Sequence, residues 1–385
     1  MKTKIFFLLV FIFSASIIPA QETDTLSFYS EAFGEQRTVY IHKPGFYKYK
    51  SGSVKLPVIF LLDGQHEWFI NPILSDIKYL QYTHEIPNAL VVVVPHKNRN
   101  DECGFSGLQP GMPLDIFITE ELTRALTKYN PGEIRIIAGH SFSASFALYA
   151  YLMHPGFYTA VMAHTPLHEL ESLVEALGKT GQADKDRIYI STGGIAGEKD
   201  YHHRKKYDQL KSSHPDFFSD IVTFEADYSA HNAVPIVATP VFLTRIFERF
   251  RGRYAGIAKT DDEYKLIDIP ETAEAEIDKV LEASVIGDYF YPPGIAEING
   301  LASRYAYNGY NSQALEIYRL GITYYPDYYE FYLSLYELTY GQDSEQAREY
   351  LSRAEFLLKT VETGWDGKNA LLDEIRIEKV KHGWE

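Results

Sequence analysis

Ile134-Arg135-Ile136-Ile137-Ala138-Gly139-His140-Ser141-Phe142-Ser143 decides the fold of this chain. A short apolar, β-branched run stops at a glycine. Two residues later stands a serine, and a helical pattern from Ser143 to Met153 begins almost at once. This is the sequence of a strand that turns sharply into a helix and carries a serine at the tip of the turn. Such a turn strains the serine's backbone and crowds its neighbours. Gly139 stands two places before Ser141, and Ser143, followed by Ala144, stands two places after it. The helix N-terminus beneath the serine favours negative charge developing there.

Outward from the elbow, the same grammar repeats. Thr38–Ile41, Val58–Leu62, Ala89–Val94, Ile188–Ser191 and Ile221–Phe224 read as strands. Most are continuous apolar runs rather than alternating ones, which is the signature of a sheet covered on both faces. Helical periodicity occupies Leu114–Tyr129, Tyr201–Ser212 and Pro235–Phe250. Strands alternating with helices predict an α/β domain, a mainly parallel sheet with helices on both faces, over residues 21–255. After Arg253 the strand-like runs cease, and residues 256–385 are expected to form a small all-helical domain. Gly309-Tyr310-Asn311-Ser312-Gln313-Ala314 is echoed by Gly341–Ala347, with Ala314 and Ala347 33 residues apart. That offset is close to the ~34 of tetratricopeptide repeats, and Tyr325-Pro326-Asp327 falls where such a repeat breaks its second helix.

A serine at such a tip needs a base, and the order expected on this architecture is serine, acid, histidine. Of 13 histidines, only His231 sits in a loop after the last predicted strand and just before the final helix, in Asp227–Pro235. His203 and His214 lie on or beside a polar helix and read as solvated or packing residues. His164 and His168 are four apart, but Pro166 between them breaks the helix that would align them on a metal. The orienting acid is expected after the strand Ile188–Ser191, as Glu198, with Asp200 the alternative and Asp227 a third choice. The oxyanion hole is expected from the N–H groups of Phe142 and Gln65, the latter in Leu62-Asp63-Gly64-Gln65-His66, where Gly64 permits a turn.

Taken in order, Leu61–His66, Asn98-Arg99, Glu121-Leu122, the Gly139–Ser143 elbow and the His231 loop with Pro235 resemble the putative esterase family of α/β-hydrolases, over about residues 30–250. That family includes esterase D, feruloyl esterases and esterases of catecholate siderophores. The resemblance implies an α/β-hydrolase fold and ester hydrolysis with Ser141 as nucleophile and His231 as base. It implies no metal or organic cofactor, and Gly64 and Arg99 are expected at the substrate. Ser143 departs from the glycine usual at its position, and the acid position is blurred.

The remaining features bound where the protein works. Lys2 and Lys4 precede the apolar run Ile5–Ile18 and Pro19-Ala20, a secretory signal with cleavage expected after Ala20 and a periplasmic or secreted destination. No other segment is apolar enough to span a membrane. The 385 residues carry 52 acidic against 37 basic side chains, a net charge of −15 that repels nucleic-acid backbones. Cys103 is the only cysteine, so no internal disulfide forms. The 30 tyrosines suit sites that stack on rings or sugars. The expected partner is a small-molecule or carbohydrate-linked ester, with the C-terminal helices available to a protein. Two rival readings stay open: an interaction module on a hydrolase scaffold, and acyl transfer by the same residues.

Overall fold

The computed structural model describes residues 22–194, 201–361 and 367–384. The expected signal segment and both carboxylates expected to orient His231, Glu198 and Asp200, lie outside the described residues. The chain divides into two compact units: one takes residues up to Gly45 together with Leu56–Ile246, the other Phe46–Lys55 and everything from Phe247.

The first unit is built on an eight-stranded sheet. Its strands are β1 (Thr23–Ser30), β2 (Glu35–His42), β3 (Leu56–Leu61), β4 (Leu90–Val93), β5 (Pro131–His140), β6 (Ala160–His164), β7 (Ile188–Gly193) and β8 (Val222–Ala226). They lie in the order β1-β2-β4-β3-β5-β6-β7-β8. From β4 to β8 every pairing is parallel, while β1 and β2 form an antiparallel margin. The continuous apolar runs are the inner strands, with β3, β4 and β7 buried along their whole length. Covering both faces of a strand removes the polar alternation, which is why these strands are legible as unbroken apolar words.

Two strands have no such signature. β1 alternates exposed and half-buried residues at the margin, and β6 is a five-residue piece of small side chains ending in His164. The helix expected over Leu114–Tyr129 is a helical run from Pro113 to Tyr129 that includes a π-turn at Phe117–Leu122. There Glu121 reaches out to accept the Ala32 N–H at 2.9 Å. Helices Phe142–Met153 and Val234–Ile246 follow the elbow and the His231 loop respectively.

The second unit is helical apart from a minimal hairpin of two-residue strands at Val285–Ile286 and Tyr289–Phe290. Helices Ala273–Ala283, Ile295–Tyr307, Asn311–Tyr324, Tyr329–Thr339, Ser344–Thr360 and Lys368–Lys381 follow one another. Ala314 and Ala347, the echoed pair, each occupy the fourth position of a helix and are fully buried. Tyr325-Pro326-Asp327 lies between helices, since proline cannot extend the preceding one. Tyr49 and Val54 of the Phe46–Lys55 excursion are buried in this unit, with the Tyr49 ring edge-on to Tyr328 at 5.1 Å and the Ser51 N–H on the Tyr324 carbonyl at 2.7 Å. Among the described residues no helix is long and apolar enough to cross a membrane.

Candidate active site

β5 ends at His140, and Ser141 occupies the turn into helix Phe142–Met153 with φ 59° and ψ −111°. A non-glycine residue in that region is strained, and surrounding structure must hold it there. Three contacts do so. The Ser141 N–H donates to the His164 carbonyl at 2.7 Å, tying the tip to β6. Gly139 passes so close to the first helical turn that a Cβ there would stand 2.4 Å from the Ser143 carbonyl oxygen. Ser143 Oγ accepts the His140 N–H at 2.9 Å and donates to the buried carboxylate of Asp63. The side chain that replaces the usual glycine therefore staples the elbow to the end of β3.

Asp63 anchors a charged layer behind the serine. It is 1% exposed and sits at φ 65°, a left-handed conformation that aspartate tolerates. The positive φ thus falls on Asp63 rather than on Gly64, the residue expected to permit the turn. Gly64 is needed for a different reason: a Cβ on it would lie 2.7 Å from Pro95 N and Val93 Cγ1 at the end of β4. Arg99, expected at the substrate, also braces the elbow. Its Nε and Nη2 are engaged by the Asp63 carboxylate, and Nη2 also by the His140 carbonyl, so it holds the elbow from behind. Further back, buried Glu102 accepts from Arg37 at 2.7 and 2.8 Å, from His96 Nδ1 at 3.0 Å and from the Lys97 and Asn98 N–H groups. Burial works against its charge, but the His96 and Arg37 hydrogen bonds win and hold its carboxyl well below the usual range. Burial pushes the neighbouring Cys103 thiol up, which keeps it protonated and unreactive.

His231 stands in the loop after β8 and before helix Val234–Ile246, the place expected for a base. The loop is clamped to the end of β7 by the Gly194 N–H on the Ser229 carbonyl at 2.9 Å. Gly193 admits it: a Cβ there would lie 2.4 Å from Val234 Cγ2 and 2.5 Å from the Ser229 oxygen. His140 Nε2 donates to the His231 carbonyl at 3.1 Å, and the two rings lie 4.5 Å apart. Burial, and then the nearby His231, push His140 down to about 3, so it stays neutral and serves as a fixed donor. The fold therefore brings His231 against the residue next to Ser141.

His203 is the residue that sequence reasoning passes over as one of a polar helix. It lies on the first turn of helix Tyr201–Ser213, and its Nδ1 is 3.2 Å from Nδ1 of His231, with ring centroids 4.7 Å apart. Only the path of the chain between β7 and β8 creates that proximity. His164 and His168 go separate ways. His164 is buried between Ser191 Oγ and Thr239 Oγ1, and burial pushes it down to about 3. His168 is tied to the Phe105 carbonyl at 2.6 Å and stacks on Phe142 at 4.5 Å.

Of the two expected oxyanion donors, the Phe142 N–H opens its helix and so has no acceptor one turn back. Gln65 is exposed beyond Gly64, and its side chain accepts the His96 N–H at 2.8 Å, which fixes the loop after β3. Aromatic rings touch the two residues that flank Ser141. His168 stacks on Phe142 at 4.5 Å and meets Phe105 edge-on at 4.9 Å, and Trp68, 47% exposed, stands edge-on to His140 at 6.1 Å.

Residues 30–214 match the family model described as putative esterase. The match ends before the His231 loop, which only the fold brings to the site. An IroE-like serine hydrolase from Shewanella oneidensis shares the fold at 17% identity and TM-score 0.54, covering 78% of this chain and 98% of that one. An uncharacterised protein from Capnocytophaga ochracea does so at 14% identity and TM-score 0.53, over 92% of this chain and all of the other. No curated protein matches the sequence.

Proposed function

We propose that this esterase-family domain is a serine carboxylic ester hydrolase that works through an acyl-enzyme outside the cytoplasm. The observation that carries the reading is the strained Ser141 on its strand-to-helix tip, with the His231 loop clamped beside it. His231 Nε2 takes the Ser141 proton as Oγ bonds to the ester carbonyl carbon. The resulting oxyanion is met by the N–H groups of Phe142 and Gln65. The C–O bond to the alcohol then breaks as His231 returns the proton to the leaving alkoxide. Water, deprotonated in turn by His231, releases the acid and regenerates Ser141. Neutral His140 supports this cycle, because it holds the His231 backbone without competing for the proton.

The rings that touch His140 and Phe142, on either side of Ser141, support a substrate class. The Phe105–His168–Phe142 ring cluster and exposed Trp68 favour esters whose acyl or alcohol part is aromatic, such as hydroxycinnamoyl esters of carbohydrates or catecholate trilactones. The N-terminal Lys2–Ala20 pattern supports export. A hydrolysis panel of short acyl, feruloyl and catecholate trilactone esters tests the reading, with Ser141→Ala as the control. Turnover that survives in Ser141→Ala overturns the mechanism. Equal kcat/KM for acetyl and aromatic esters overturns the substrate class.

A further inference from the structure

We infer that Asp63 is the positioning residue of the nucleophile, a single carboxylate that holds Ser141 from both flanks in the conformation its chemistry needs. This rests on the esterase reading above. Ser141 sits at φ 59°, a strained value for serine, so its place is set by what grips its neighbours. Two residues ahead, Ser143 Oγ donates directly to the Asp63 carboxylate. One residue behind, the His140 carbonyl accepts from Arg99 Nη2. That arginine is itself held by the same carboxylate, through Nε at 2.5 Å and Nη2 at 3.3 Å. Both flanks of the tip are thereby tied to one side chain, 1% exposed, at the end of β3.

The anchor is itself fixed. On one side of Asp63 the Leu62 N–H donates to the Ala138 carbonyl of β5 at 2.9 Å, and on the other the Gly64 N–H donates to the Val94 carbonyl beyond β4 at 3.0 Å. The Asp63 carbonyl accepts the His66 N–H at 2.9 Å, which closes the turn. A carboxylate suits this post for two reasons. Its two oxygens accept from a hydroxyl and a guanidinium at once, and its charge strengthens the bond to the arginine. An amide offers one acceptor oxygen only, and its NH2 group would face a donor. Because the site is buried, a bond lost there leaves a group unpaired and the elbow free to shift. A misplacement of about 1 Å at a reacting atom costs on the order of 100-fold in rate. With its oxygens taken by Ser143 and Arg99, the Asp63 carboxylate acts through the elbow, so its loss should fall on kcat rather than on KM.

The test is steady-state hydrolysis of p-nitrophenyl butyrate by the full chain, comparing Asp63→Asn, Ser143→Ala and the double variant, with Ser141→Ala as the control. Active sites are counted with an irreversible p-nitrophenyl phosphonate that labels Ser141, so misfolded protein drops out of kcat. Asparagine tolerates the left-handed backbone at residue 63, so Asp63→Asn removes the charge and one acceptor while sparing the turn. It should lower kcat per labelled site by about 10- to 100-fold, with KM within about threefold of wild type. Ser143→Ala, which cuts only the direct tie, should cost about 3- to 10-fold, and the double variant should be little worse than Asp63→Asn, because both changes remove the same link. A purely structural role would lower Tm and the number of labelled sites without moving kcat per labelled site. The inference is overturned if Asp63→Asn stays within about twofold of wild-type kcat per labelled site, if the loss falls on KM alone, or if the two single losses multiply in the double variant. If Asp63→Asn gives no folded protein, Ser143→Ala decides by the same criterion. Turnover that survives in Ser141→Ala overturns the esterase reading and this inference with it, whereas an unchanged kcat in Asp63→Asn overturns the inference alone.

Discussion

At the scale of single residues, the site is a set of side chains whose protons are fixed by burial and by one another. In the proposed mechanism Ser141 and His231 act as one unit, so Ser141→Ala and His231→Ala are each expected to lower kcat on the order of 10⁴- to 10⁶-fold. The double variant should be little worse than either, and additive losses would separate their roles. Ser143 makes a different prediction. Ser143→Ala leaves the His140 N–H without its acceptor and removes one donor from the buried Asp63 carboxylate. A cost of about 1–3 kcal/mol is expected from the unpaired groups, read as a fall in Tm. The buried imidazoles set the acid limb of stability. His140 and His164 are held at about 3 against an ordinary 6.5. Below pH 6.5 the unfolded chain takes up protons that these native imidazoles refuse, so stability falls as pH drops from about 6.5 toward 3. Between pH 6.5 and 5 the two together should remove roughly 3 kcal/mol. Glu102 adds its own loss only below its ordinary value of 4.5, where the unfolded carboxylate protonates first. His164→Asn should therefore flatten Tm against pH in the upper window, and an unchanged slope would show that His164 is not excluded from protonation.

At the scale of elements, three turns decide whether the site exists. The β5 elbow, the β3–β4 approach and the clamp between β7 and the His231 loop each depend on a glycine whose Cβ would strike backbone or a β-branched side chain. The sharpest is Gly139, where the obstacle is backbone of the first helical turn. Gly139→Ala is expected to be among the most destabilising single changes in the first unit, with loss of soluble protein or a Tm lower by about 10 °C or more. Gly193→Ala should act differently, since it displaces the His231 loop from β7 while sparing the elbow. A large fall in kcat with a smaller fall in Tm is the expected outcome, and the reverse pattern would mean that the loop is not what Gly193 protects.

At the scale of the whole molecule, the boundary between units is not a single cut in the chain. Phe46–Lys55 leaves the first unit between β2 and β3 and buries Tyr49 and Val54 in the second. Deleting everything after Ile246 would strip the cover from these side chains and leave an apolar loop on the first unit. That truncation is expected to aggregate or to melt early. The same truncation with Phe46–Lys55 replaced by a short polar linker should run as a monodisperse species in size-exclusion chromatography and still cleave a small activated ester at a kcat within a few-fold of the full chain. A well-folded, linker-repaired domain that binds a small ester without cleaving it would show that the second unit supplies part of the catalytic machinery.

Sequence alone determined what is written locally. The inner strands are continuous apolar runs because both their faces are covered, so β3, β4, β5 and β7 can be read directly. Ser141 is legible because a strained turn admits only small neighbours at Gly139 and Ser143, and His231 because its loop falls between the last strand and the last helix. What does not leave a local mark had to wait for the tertiary structure. β1 alternates like any surface segment, and β6 is too short and too small in its side chains to announce itself. That Arg99 is held by Asp63, 36 residues earlier, is not written in its neighbourhood either. Ser143 looks like a departure from a motif until the same Asp63, 80 residues away, receives its hydroxyl. His203 reads as one more residue on a polar helix, and only the return of the chain after β8 sets it beside His231. Turns and burial are short-range constraints that each residue must satisfy where it stands, whereas the partners of buried polar groups are chosen by packing across the sheet.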